Sequence, residues 1–176
     1  ASMAMELFSM NHWESFFESE EELSRAKEHQ LERTITIFPW IAIIDKFQHW
    51  VYENPTYTVE ERTEKWMEIL QEFSTNAIDF TGLETYRAIG WQRQLHLFEV
   101  PFYYIEYGIA QLGAIGLWMQ YKQNPQQAIE NYIKALSLGG TKTLPELYAA
   151  ADLKFDLSPA HIKTLMDFVN EQMETL

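Results

Sequence analysis

Amphipathic runs, punctuated by proline, glycine and capping residues, predict helices along this whole chain. The first run, MAMELFSMNHWESFF, predicts a helix over residues 3–17 with no capping residue in front of it. Ser19 followed by Glu22 makes a capping box, in which hydroxyl and carboxylate satisfy open backbone N–H groups at a helix start. The polar helix that begins there continues toward the apolar run TITIFPWIAIIDKFQHWVY, where Pro39 should kink or divide it by removing a helical hydrogen bond. β-Branched residues at 34–37 raise a strand alternative, but no turn signal isolates them, so helix is the expectation.

Asn54-Pro55 predicts a turn, and Thr58 with Glu61 a second capping box ahead of the helix ERTEKWMEILQEFSTNAI. Trp66, Ile69, Leu70 and Phe73 share one face of that helix, and Phe80 to Gly90 reads as a loop. Pro101 predicts that one helix stops near Val100 and the next starts at the proline, so that His96 closes the first and the tyrosines open the second. Further on, Gly108, Gly113 and Gly116 with Ala110 and Ala114 leave little bulk on part of a helix, where another helix can approach. Glycine inside a helix costs about 0.5–1 kcal/mol against alanine, so a packing or ligand contact must offset it. Asn124-Pro125 opens a helix to about Leu138, and Gly139-Gly140 ends it. Thr143 and Ser158, each close before a proline, cap the last two helices. The pattern predicts a single all-α domain over residues 1–176, without internal repeats.

Composition narrows the function classes. A chain of 176 residues, 47% hydrophobic and 15% aromatic, can bury a core. Its 26 acidic and 13 basic side chains give a net charge of −13, which repels phosphate backbones and anionic membrane surfaces, so neither nucleic acid nor membrane is expected as a partner. Without cysteine there is no disulfide framework and no thiolate nucleophile, which fits a cytoplasmic location. The longest apolar stretches, Ile37 to Ile44 and Gly108 to Met119, are shorter than the roughly 20 residues that cross hydrocarbon. The first basic residue is Arg25 and Glu6 interrupts the opening apolar stretch, so no secretory signal is expected at this N-terminus.

Candidate chemistry concentrates in residues 91–111, WQRQLHLFEVPFYYIEYGIAQ. His96 can donate or accept a proton near neutral pH, while Tyr103, Tyr104 and Tyr107 donate hydrogen bonds without ionising, an unperturbed phenol having a pKa of about 10. Tyr107 lies four residues from Tyr103 and three from Tyr104, so on a helix it shares a face with either. Converging phenols suit a developing oxyanion. The same spacing also suits core filler whose hydroxyls bond backbone carbonyls.

Other titratable groups point less clearly. Asp45 and His49, four apart, could form a ligand pair, yet nothing downstream completes a site, and between Phe47 and Trp50 a packed, hydrogen-bonded histidine is expected. His12 and Glu14, two apart, point in different directions on a helix, and the acids from Glu18 to Glu22 read as a solvated helix start. None of His12, His29, His49, His96 and His161 has a glutamate directly after it or a histidine four residues on, and no Glu-x-x-His pair of a di-iron bundle occurs. No metal ligand set is expected in this chain.

The run HLFEVPFYYIEYGIAQLGA resembles the late histidine-tyrosine segment of oligoendopeptidase F, a branch of the thimet oligopeptidase family of zinc metallopeptidases. ASMAMEL resembles the stretch that follows the family's glutamate zinc ligand, and IIDKFQHWVYENP with its later ER resembles the helical segment between the two. The likeness spans nearly the whole chain, weakening after Thr141, with Ala151 where the family would have glycine. The family's HExxH helix, source of two histidine ligands and the general base, is absent. The resemblance therefore implies the C-terminal part of a larger, zincin-like helical metallopeptidase, beginning just after its metal site. It implies zinc as cofactor, held by the HExxH-containing remainder of the enzyme, and short peptides as substrates cut at internal bonds. It further implies His96, Tyr104 and Tyr107 as catalytic donors, Tyr103 with His96 and Tyr107 as substrate contacts, and no activity for this chain alone. Glu6 would either orient a neighbour of the zinc site or simply face solvent. The competing reading is a stand-alone helical interaction domain without catalytic activity.

Overall fold

Capping chemistry sets most of the helix starts in the computed structural model, which describes residues 1–75 and 77–176. Among the described residues the regular elements are nine α-helices and short 3-10 turns. They are α1 (Ser2–Ser9), α2 (Glu20–Glu53), α3 (Val59–Phe73), α4 (Glu84–Ala88), α5 (His96–Glu99), α6 (Ile105–Gln123), α7 (Pro125–Ser137), α8 (Leu144–Ala150) and α9 (Pro159–Met173). Thr58 and Glu61 form the expected reciprocal box, Asn124 accepts from the Gln127 N–H, and Ser158 accepts from the His161 N–H. At Thr143 the Glu146 carboxylate accepts from both the backbone N–H and the hydroxyl. The all-α expectation holds. The chain divides into two compact units, one of Ala1–Ile35 with Ile109–Leu176 and one of Thr36–Gly108.

In the first unit, Leu7, Leu31, Ile115, Trp118, Leu165 and Val169 are almost wholly shielded from solvent. Phe8 stacks on Tyr121 at 4.7 Å between ring centres, and Trp118 meets Phe168 edge-on at 4.9 Å. The glycines of α6 take side chains against them, as expected of a close approach. A Cβ at Gly113 would lie 2.9 Å from the Tyr148 hydroxyl oxygen, and one at Gly116 the same distance from a Leu153 methyl. Tyr148 stands on α8 and donates to the Ile109 carbonyl, so the missing methyl at Gly113 makes room for a hydrogen-bonded ring. Gln120 donates to the Ala151 and Asp152 carbonyls and accepts from the buried Asn131, which itself accepts from Gln127.

The second unit packs Ile41, Ile43, Ile44, Phe47, Trp66, Ile69, Leu70 and Tyr104. Trp66 is fully buried between Trp40 and Phe47, with ring centres at 6.1 and 5.0 Å, and its indole N–H donates to the Arg87 carbonyl at 2.8 Å. Trp66, Ile69 and Leu70 are buried on the face of α3 that the sequence indicates, with Phe73 packed against the same cluster.

Several boundaries differ from expectation for local reasons. Residues 3–17 begin as α1 but tighten to 3-10 from Met10 to Ser15, where Ser9 turns its hydroxyl back onto the Glu6 carbonyl and takes a bond from Trp13. Pro39 does not divide α2; it costs one backbone bond while Thr34, Ile41, Ile43 and Ile44 around it remain buried. α3 stops at Phe73, where Ser74 becomes extended and bonds the Leu70 carbonyl at 2.5 Å; Asn76, within the longer expected helix, lies outside the described residues. The expected loop from Phe80 to Gly90 contains α4, which begins where Glu84 accepts from the Gly82 N–H.

Candidate active site

The fold-back after α5 decides where the tyrosines go. Pro101 does break the chain, but α6 starts only at Ile105, so Tyr103 and Tyr104 precede it and Tyr107 alone lies within it. His96 opens the four-residue α5 and does not close a longer helix. Between the two helices Phe102 takes φ 58°, a left-handed conformation costing a non-glycine residue about 1–3 kcal/mol. Gln48 holds it there from α2. The buried amide of Gln48 accepts from the Phe102 N–H at 2.8 Å and donates to the Leu97 carbonyl at 3.4 Å. The Phe102 ring lies 4.8 Å from His49 and 4.9 Å from Tyr52.

This reversal, and not helical spacing, gathers the rings. His96 lies 5.1 Å from Tyr104, 5.5 Å from Tyr107 and 6.3 Å from Tyr103, measured between ring centres. Tyr107 meets Tyr104 at 5.3 Å and Tyr103 at 5.7 Å, both edge-on. Tyr104 is buried, while Tyr103 is 47% exposed. Burial pushes the Tyr104 phenol above the ordinary 10.0; the nearby Trp40 indole opposes the rise and Tyr107 adds to it. Tyr104 therefore stays a neutral donor throughout the physiological range.

Hydrogen-bond direction through this cluster follows from one side chain that cannot accept. The Trp40 indole N–H donates to a Gln94 side-chain atom at 3.2 Å, and that atom must be the carbonyl oxygen Oε1. The Gln94 amide nitrogen then faces His96 Nδ1 at 2.7 Å and donates to it. An accepting Nδ1 places the proton of the neutral ring on Nε2, which stands 3.0 Å from the Tyr107 hydroxyl. Tyr107 accepts there. Among the described residues nothing takes its own O–H proton, which is left for a further acceptor.

Gln94 and Trp40 were not legible as site residues: Gln94 sits two positions before His96 in WQRQLH, a weak signal, and Trp40 is 54 residues from Gln94 and reads as core. Asp45 and His49 approach to 3.6 Å on α2, with the His49 side chain 56% exposed and its ring against Phe102. Among the described residues no three His, Asp or Glu side chains form a group that could hold a metal ion. Glu6 is exposed and accepts from Gln30 at 3.3 Å.

The chain belongs to Peptidase family M3, which it matches over residues 1–167. It is similar to the oligoendopeptidase F homolog of Borreliella burgdorferi, with 26% identity over 117 residues, covering 64% of this chain and 19% of that protein. Among solved structures it resembles a chain bearing the provisional name oligoendopeptidase F, at 30% identity and a TM-score of 0.86, over 99% of this chain and 31% of the other. It likewise resembles PZ peptidase A with inhibitor 2, at 29% identity and a TM-score of 0.86, again over 99% of this chain and 31% of that one. The chain thus spans a minor part of each relative's length.

Proposed function

We propose that these residues form part of a metallopeptidase that hydrolyses internal bonds of short peptides, and that they supply its oxyanion and substrate contacts. Membership of the peptidase family supports the reaction class. The free O–H of Tyr107, left over because His96 Nε2–H is donated to the same oxygen, carries the assignment of roles. When the scissile carbonyl becomes tetrahedral, its oxygen gains charge that a preset donor stabilises without reorganising. Tyr107 is that donor, polarised by the His96 N–H behind it, and Tyr104 is a second, kept neutral by burial. Tyr103, the exposed ring, contacts the substrate backbone together with His96 and Tyr107.

Zinc, on this reading, belongs to the HExxH-containing remainder of the enzyme, and this chain alone is inactive. The absence of cysteine suits a reducing cytoplasm. Tyr107→Phe in the longer enzyme should lower kcat/KM by about 10²- to 10³-fold while the variant keeps its metal content. A rate within a few-fold of the parent would remove Tyr107 from this role. Metal content and peptide turnover of this chain beside a longer one distinguish a peptidase segment from a stand-alone interaction domain.

A further inference from the structure

The unit of residues 36–108 contains a cavity of about 520 Å³ walled by aromatic and aliphatic side chains, among them Phe47, Val51, Tyr57, Trp91 and Phe98. Arg62 carries the one charge in that lining. Its guanidinium carbon lies 4.7 Å from the centre of the Trp91 ring and 5.6 Å from that of Tyr57. The Arg62 Nε is buried with no hydrogen-bond partner, and among the described residues no carboxylate pairs with the side chain. Acids are not scarce: the chain has 26 against 13 bases, and Glu60, Glu61 and Glu64 are neighbours on α3. Glu61 is committed to the Thr58 cap. The side-chain amide in the wall, Gln48, is spent on Leu97 and Phe102.

A guanidinium among apolar walls is costly unless an anion completes it. Aromatic faces hold its plane by cation–π attraction and leave its edge open to a carboxylate, which it grips by parallel N–H···O bonds. We propose that this pocket binds a carboxylate borne on an apolar or aromatic group, specifically the free C-terminus of a short peptide. The peptide rests on the function proposed above; the preference for a carboxylate rests on Arg62 and its surroundings alone.

The test titrates N-acetyl-L-phenylalanine and, separately, its C-terminal amide into this chain, followed by calorimetry and tryptophan fluorescence. The acid should bind saturably in the millimolar range or below, and the amide at least about tenfold more weakly, the difference one charge-assisted contact makes. Arg62→Gln, with an unchanged circular dichroism spectrum, should bind acid and amide alike. Equal affinity of the parent chain for the two probes, no saturable binding of the acid, or a folded Arg62→Gln chain that keeps the preference overturns the proposal. If Arg62→Gln does not fold, the comparison of acid with amide on the unaltered chain decides. An unimpaired Tyr107→Phe enzyme would count against the oxyanion role and leave this preference standing, whereas equal acid and amide binding would do the reverse.

Discussion

The two units use polar groups differently. In residues 1–35 with 109–176, side-chain amides close on one another and on backbone: Gln127, Asn131 and Gln120 form a series that ends on two carbonyls, and Tyr148 fills the gap over Gly113. The indole N–H of Trp118 is the exception, buried without a partner among the described residues. In residues 36–108 the corresponding series, Trp40, Gln94, His96 and Tyr107, ends on a hydroxyl with a proton still to give, and Arg62 keeps an unmatched charge. A network that closes on backbone specifies packing. One that stops short leaves capacity for a ligand.

The largest effect on stability should come from the aromatic unit, since its core leans on one side chain. Trp66→Ala removes a fully buried indole, its bond to Arg87 and two edge-on ring contacts, and should cost about 3–5 kcal/mol by urea unfolding. A loss below 1 kcal/mol would mean that this core does not depend on Trp66.

Gly113→Ala probes the closed unit next. Its new methyl would meet the Tyr148 hydroxyl at 2.9 Å, and overpacking of this kind costs about 1–3 kcal/mol. Combining it with Tyr148→Phe should recover part of that loss, so the two substitutions should be non-additive in thermal melts. Simple additivity would show that the loss does not arise at the Tyr148 hydroxyl.

The smallest effect is acid-dependent. The Lys154 ammonium, hydrogen-bonded to Asp156, and the Ser158 N–H and hydroxyl hold the Asp156 carboxyl well below its ordinary value of 3.8. With the folded value below the unfolded one, the stabilisation is complete above the ordinary carboxylate range and is lost as pH falls toward the folded value. Asp156→Asn should therefore be less stable than the parent near neutral pH, and the gap should narrow progressively below about pH 4. A gap that is constant with pH would assign the difference to packing.

Caps and turns were legible because they are decided within four residues: Thr58 with Glu61, Asn124 before Pro125, Ser158 before Pro159. The apolar face of α3 was legible for the same reason. The histidine and tyrosines could be named from the sequence, but their arrangement could not. It depends on Phe102 adopting a left-handed conformation that Gln48 stabilises from 54 residues away, and no local pattern encodes that contact. Pro101 marked the break correctly yet misplaced the start of α6 by one turn, because the chain first reverses through residues 101–104. Arg62 showed nothing in sequence beyond the ER of a helix; its isolation appears only once Trp91 and Tyr57 close over it.

Trp40 has a proton to offer and no lone pair to receive one, so the amide of Gln94 cannot turn over without forfeiting a bond. Its indole ¹⁵N–¹H resonance thereby becomes a built-in reporter. Whatever accepts the Tyr107 proton should be felt, through imidazole and amide, as a displacement of that single NMR signal, which would reveal occupancy of the site without any label on the molecule that enters it.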